Sequence, residues 1–453
     1  MKKVSAILFS IFLVSSFFLH AALSSSPIYA KGKLVHPSWS KNAVIYEVNI
    51  RQYTPEGSFN AFETKLPELK KMGVDIIWLM PINPIGISHR KGELGSYYSV
   101  KNYKSLNPEF GTVGTFRQLI KKIHELKMHV IIDWVANHTA WDNVWTITHP
   151  DFYTKDANGK FVPPVADWTD VIDLNYGNKE LRDSMYSAME YWVKDFDIDG
   201  FRCDVADMVP TDFWIKVRTK LDRIKKVFML AEGDKNYLHQ AFDMTYNWPL
   251  KDLMNDIAKG KKKASDIISY FEKERKEFKP NDYRMVFTSN HDENSWNGSE
   301  YERLGDGVKS FAVLCGTVKG MPLIYSGQEA GSTKRLRFFD KDTIDWKPSP
   351  MREIYTKLDS LKIKNHALWN GTYGGEMRFI KTGNDNVLAF VREKGKNKVF
   401  AIFNFSQSNQ KIKLDNRLME GSYKNLFGGN EKVELKSQAD FDLTPWDYKV
   451  YSK

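Results

Sequence analysis

Two cysteines in 453 residues, Cys203 and Cys315, give the chain no disulfide framework. A chain this long does not need one. Both sit in apolar contexts and read as buried free thiols. There is no CxxC or HExxH zinc pattern and no phosphate-binding glycine loop, so those nucleotide and zinc chemistries are without a motif. Internal repeats and low-complexity tracts are also missing, which excludes solenoids. After the first 30 residues no apolar run is long enough to cross a bilayer, so no stable membrane insertion is expected. The formal charge is +10. Apart from Lys261–Lys263 the basic residues are scattered rather than blocked, which reads as a solvated surface and argues against nucleic-acid binding.

What is present points to a large globular fold. Hydrophobic residues make up 42% of the chain, enough for one big core with a small second domain. Residues 1–30 read separately. Lys2 and Lys3 precede an apolar stretch from Ala6 to Leu19, and small residues follow. That is the pattern of a secretory signal peptide, so a secreted protein, extracellular or periplasmic, is expected. The alternative is an uncleaved anchor, for which the run is short.

From residue 43 onward strand-like and helical patterns alternate. Strands are expected at 44–50, 75–80, 129–133, 200–204, 227–232, 241–246, 284–289 and 322–325. Helices are expected between several of them, at 60–72 with Asn60 as N-cap, 114–126, 181–196 and 213–225. Eight strands in this alternation imply a closed parallel (β/α)8 barrel, residues 31–137 and 179–375. The stretch 138–178 lacks a helical period and is expected to project from the barrel as a subdomain. From residue 376 to 453 the alternation is all strand-like, which implies a small antiparallel β-domain.

Four acids end strand-like runs: Asp133 in HVIIDWVANH, Asp204 in GFRCDVAD, Glu232 in VFMLAEGD and Asp292 in VFTSNHDEN. In a parallel barrel, strand ends converge on one face, so these acids form a charged ring there. Arg202 and Asp204 are two apart and share a strand face, while Cys203 points the other way. The arginine is expected to hold Asp204 ionised, as a nucleophile must be. Glu232 follows an apolar run, and an apolar setting keeps a carboxylic acid protonated, as a proton donor must be. Such a pair is what retaining glycoside hydrolysis uses. Asp292 adds a third acid, and His138 and His291 can donate hydrogen bonds to sugar hydroxyls. Each element has a plain structural alternative: a turn-capping Asp133, an Arg202–Asp204 ion pair, a helix-start Glu232, core histidines.

DWVANH, GFRCDVAD, AEGD and SNHDEN, in this order, resemble the four signature regions of the α-amylase family, glycoside hydrolase family 13. VIDLN at 171–175, GMPLIYSGQE at 320–329 and GSYYSVKNYKSLNPEFGT at 95–112 resemble further segments of it. The resemblance implies Asp204 as nucleophile, Glu232 as acid/base and Asp292 as transition-state stabiliser. It implies Tyr98, His138, Arg202 and His291 as substrate-binding residues, with Tyr98 the platform beneath the central sugar. It makes 138–178 the family's domain B and the tail its β-sandwich. The substrate implied is an α-glucan, starch or maltodextrin, cut at internal α-1,4 bonds. No organic cofactor is implied. A Ca2+ site would fall on Asn137, Asn175 and the Met208 backbone, a set without an acid. Two departures keep alternatives open. Asp207-Met208 stands where many α-amylases carry Lys-His, and VIDLN resembles the α-glucosidase branch. An α-glucosidase or 4-α-glucanotransferase on short malto-oligosaccharides is one alternative, and a non-catalytic carbohydrate-binding homologue is the other.

Overall fold

The computed structural model describes Leu34 to Lys453 except Asn430. The expected leader lies outside the described residues. Eight parallel strands close into a barrel, Ile45–Val48, Ile76–Leu79, His129–Trp134, Gly200–Cys203, Phe228–Ala231, Met244–Tyr246, Tyr283–Val286 and Met321–Tyr325, each hydrogen-bonded to its neighbours in chain order. Alternation along each strand separates two cores. Ile45, Trp78, Ile131, Leu230, Tyr246, Met285 and Leu323 fill the lumen. Tyr46, Ile77, Ile132, Phe201, Cys203 and Met229 pack outward into the main core. Glu47, Asp133 and Arg202 share the lumen parity and sit near the carboxyl end of their strands, where their polar heads meet the barrel mouth.

Local chemistry sets the boundaries. The helix expected over 60–72 is two helices, Phe59–Glu63 and Leu66–Met72. Pro67 enters the second at its first turn; deeper in one continuous helix it would remove a hydrogen bond and crowd the preceding turn. The cap is Ser58 rather than Asn60, its hydroxyl accepting from the Ala61 amide. The second helix ends at Gly73 with φ +112°, where a side chain would also meet Asp359 at 2.6 Å.

Segment 138–178 carries a short antiparallel pair, His138–Ala140 with Val171–Asp173, rather than loop alone. The tail forms a six-stranded antiparallel sheet and a two-stranded pair, Gln410–Asp415 with Gln438–Leu443. Phe400, Ile402, Ile412, Phe441 and Tyr451 fill the space between them. Arg392, 1% exposed, welds this domain to the barrel. Its guanidinium donates to the carbonyls of Thr317, Val318, Trp369 and Gly375. Among the described residues no helix is long and apolar enough to cross a membrane. Both cysteines are buried and free.

Candidate active site

Arg202 is the centre of the constellation. It is fully buried at the end of the fourth barrel strand. Nη1 lies 3.0 Å from Asp133 Oδ1 and 3.0 Å from Asp204 Oδ1. Nη2 lies 3.0 Å from Glu232 Oε1, an ion pair rather than an aligned hydrogen bond. Nε donates to the Tyr246 hydroxyl at 3.1 Å. One guanidinium thus gathers acids from the ends of three strands. Its planar fork suits this, since it presents several donors in one rigid geometry.

Asp133 is held from three sides, by Arg202, by Trp78 Nε1 at 3.1 Å and by the Tyr98 hydroxyl at 3.1 Å. It is no turn cap. Tyr98 in turn lies 2.8 Å from His291 Nε2, and its ring stacks on that imidazole with 5.4 Å between centroids. Phe338 stacks on Tyr98 from another side. His291 Nε2 is 3.3 Å from Asp292 Oδ2, and Nδ1 is 2.5 Å from Glu47 Oε1. Asp292 is the most open of the acids, its side chain 34% exposed. His138 Nε2 approaches Asp204 Oδ2 at 3.9 Å, and its ring lies edge-on to Trp168. The fold therefore brings together Tyr98, His138, Arg202, Asp204, Glu232, His291 and Asp292.

The backbone between the two central acids is unusual. Val205, a β-branched residue, sits at φ +34°, ψ +50°, in left-handed space that such residues avoid. Its amide donates to Glu232 Oε2 at 2.7 Å, and the Ala206 amide donates to the Glu232 carbonyl. The strain buys a direct bond between the residue after Asp204 and the Glu232 carboxylate. Beyond Asp292 the chain makes one π-turn, Glu293–Asn297, a form frequent at functional sites. Glu293 is fixed there by Lys251 at 2.9 Å.

Burial sets the protonation of this site. It pushes Glu232 up to about 7; Arg202 opposes, while Asp204 and Asp292 add to the rise. It pushes Asp204 up to about 6, against the pull of Arg202. The arginine was expected to win at Asp204; it does not, because a carboxylate 7% exposed loses more hydration than one shared guanidinium returns. Both acids are raised by burial, and neighbouring carboxylates raise each of them further. Burial alone pushes His138 down to about 3, so it is a neutral imidazole. His291 goes the other way: burial disfavours its charge, but Asp292 and Glu47 outweigh it and hold it up at about 9.

The residues expected at a metal site make a thin donor set. Asn175 is exposed and its Oδ1 accepts from the Gly177 amide at 3.0 Å. Asn137 is buried with its amide 3.4 Å from His138 Nδ1. Met208 is 44% exposed. The nearby Asp173 carboxylate accepts from Thr154 at 2.5 Å. Among the described residues no three His, Cys, Asp or Glu side chains gather to hold a metal. A hard dication prefers anionic oxygens, so this set fits it poorly.

Several residues of the site escaped the sequence reading as site residues: Glu47, Trp78, Tyr246 and Phe338. Glu47 carried a signal, an acid in the otherwise apolar run IYEV with the lumen parity of Ile45. Trp78 and Tyr246 carried none, because a polar edge on a core aromatic is not visible in a pattern.

The chain matches the family model for the α-amylase catalytic domain over residues 38–163 and 165–366. It belongs to the α-amylase family. A second family model, the maltogenic amylase C-terminal domain, matches residues 377–450. Alpha-amylase 3 of Dictyoglomus thermophilum is 26% identical, over 87% of this chain and 91% of that protein. The crystal structure of a noncanonic maltogenic α-amylase from Thermotoga neapolitana superposes with a TM-score of 0.84 at 32% identity. It covers 91% of this chain and 99% of its own. An α-amylase from Lactobacillus plantarum gives 0.81 at 29% identity, covering 92% and 100%. As a member of this family the chain is a glycoside hydrolase of α-glucans, which sets aside the non-catalytic alternative.

Proposed function

We propose that the chain is a retaining hydrolase of internal α-1,4-glucosidic bonds in starch or maltodextrins. One observation carries the proposal: the buried Arg202 guanidinium holds Asp204 and Glu232 on its two terminal nitrogens at 3.0 Å each. Two carboxyls gathered on one guanidinium suit the retaining route, whose acids stand only about 5–5.5 Å apart.

In the first step Asp204 Oδ attacks the anomeric carbon as the glycosidic C–O bond breaks, and Glu232 delivers its proton to the leaving oxygen. In the second, Glu232, now a carboxylate, takes a proton from water, whose oxygen displaces Asp204. Two inversions retain the configuration. Asp292 faces the positive charge that develops on the ring, and His291 and His138 donate to sugar hydroxyls. The test is proton NMR of maltoheptaose digestion. The α-anomer should appear first, and a β-anomer appearing first would overturn Asp204 as nucleophile.

A second reading favours short products. The tail matches the maltogenic amylase C-terminal model, and the similar Thermotoga neapolitana enzyme is a maltogenic α-amylase. Product lengths over time on starch and maltoheptaose separate the two. Early mid-length fragments support internal cleavage, and maltose from the outset supports the second. Glucose or chain-elongated products would point instead to the α-glucosidase or glucanotransferase alternative. Export rests on residues 1–30 alone. A calcium ion on Asn137, Asn175 and the Met208 carbonyl would be weakly held, and no step above uses one.

A further inference from the structure

Glu47 lies in the first barrel strand, far in sequence from every residue discussed above as catalytic. It is fully buried. Its backbone is registered against Trp78 on one side and Tyr325 on the other, and its carbonyl accepts from both the amide and the hydroxyl of Ser326. The side chain therefore enters the lumen from a rigid, doubly paired strand. Oε1 meets His291 Nδ1 at 2.5 Å across 244 residues of sequence. Oε2 is buried with no hydrogen-bond partner. A buried carboxylate oxygen left without a protein partner calls for an explanation.

The partners of His291 supply that explanation. Its Nδ1 faces the Glu47 carboxylate. Its Nε2 faces Asp292 Oδ2 at 3.3 Å and the Tyr98 oxygen at 2.8 Å. The Tyr98 hydroxyl has one proton; placed on the Asp133 Oδ2 carboxylate, which can only accept, it leaves the Tyr98 oxygen as an acceptor toward His291. Both ring nitrogens thus face acceptors, and an imidazole satisfies two acceptors only when both nitrogens carry protons. The charged groups around the ring are Glu47 from the first strand, Asp133 from the third, Arg202 from the fourth and Asp292 next in the chain.

We propose that Glu47 is a positioning residue that acts through His291, fixing the ring and keeping it an imidazolium whose Nε2–H is shared between the Tyr98 oxygen and a sugar hydroxyl beside Asp292. This rests on the reading of His291 as a sugar contact. An imidazolium is the stronger donor to a sugar hydroxyl, and its charge also orients the Asp292 carboxylate. Glu47 itself touches no substrate. Without its negative charge, burial and the nearby Arg202 would favour the neutral ring, and that ring could present a bare nitrogen to Asp292.

The test uses Glu47→Gln, which keeps the shape and an acceptor oxygen but removes the charge, and Glu47→Asp, which keeps the charge on a shorter stem. Two readouts are needed. The first is the imidazole NMR titration of His291 in the full chain, assigned with His291→Gln. The second is the pH profile of kcat/KM on an activated aryl α-maltoside, whose departure needs little proton transfer from Glu232. In the parent, His291 should titrate near 9. In Glu47→Gln that midpoint should fall by about two pH units. The alkaline limb should fall with it, giving a loss of about tenfold at pH 8 and little at pH 6. Glu47→Asp should restore most of the alkaline activity. An unmoved His291 midpoint in Glu47→Gln overturns the proposal. So does a loss of equal size at every pH, which is the mark of a merely structural residue, or a Glu47→Asp variant that behaves like Glu47→Gln. If Glu47→Gln does not fold, Glu47→Asp decides alone: a preserved His291 midpoint supports the proposal and a fall of more than one unit overturns it. A separate result tests the reading beneath it. If His291→Gln leaves kcat/KM unchanged, His291 is no sugar contact, whatever Glu47 does to its titration.

Discussion

Removing the charge of Glu232 should stabilise the fold while destroying the activity. Burial first, then the neighbouring Asp204 and Asp292, raise this carboxyl from 4.5 to about 7. The native state therefore binds a proton more tightly than the unfolded chain. Below pH 4.5 the group is neutral in both states and takes nothing from stability. As pH rises through the interval to 7 the unfolded chain releases its proton and the native state resists, so stability falls. Well above 7 the loss is complete, at roughly 3 kcal/mol. Most of that loss, roughly 2–3 kcal/mol, falls between pH 5 and pH 8. Glu232→Gln has no charge to bury and escapes that loss. Its amide can offer one oxygen to Arg202 or to the Val205 amide but not fully to both, which returns about 1 kcal/mol. That return is independent of pH. Urea unfolding of both proteins at pH 5 and pH 8 isolates the ionisation. The variant should gain about 2–3 kcal/mol on its parent over that interval. A difference between the two proteins that is the same at both pH values would refute the raised carboxyl, and with it the argument that Glu232 is the proton donor near neutrality.

Asp204→Asn should lower kcat on maltodextrin by roughly 10⁴-fold, because an amide cannot form the glycosyl ester, with circular dichroism unchanged. Turnover within tenfold of the parent would remove Asp204 from the nucleophile's role. Arg392→Met should destabilise the chain by about 3 kcal/mol, since it strips donors from four buried carbonyls at the junction of barrel and tail. A change in urea midpoint equivalent to less than 1 kcal/mol would show that water replaces the guanidinium there. Excess chelator should lower Tm by about 2 °C or less, with calcium restoring it better than magnesium, as expected for a weak site of neutral oxygens. A drop several times larger would mean that a carboxylate such as Asp173 joins the ligand set.

Much of this architecture is written in local patterns. The alternation of each barrel strand assigns every residue to lumen or outer core, so Arg202 and Asp204 were legible as lumen neighbours with Cys203 opposite. Acids at the ends of GFRCD and FMLAE were legible as a ring because all parallel strands of a barrel end on one face. The tail strands 387–394 and 397–404 were legible because they are apolar over most of their length. The strands 421–425, 432–435 and 438–443 were not, since they lie half-exposed with charged residues outward and carry a weak pattern.

Tertiary structure decided the rest. Whether Arg202 or burial controls Asp204 depends on hydration lost, which no residue type reveals. That Glu47 meets His291 depends on barrel closure, which sets the first strand beside the eighth and brings the residues after the seventh over it. Sequence determines which side of a strand a residue faces, because that is a property of backbone geometry two residues long. Protonation states and cross-barrel partners arise only when distant segments exclude water together, because they are properties of the space the segments enclose.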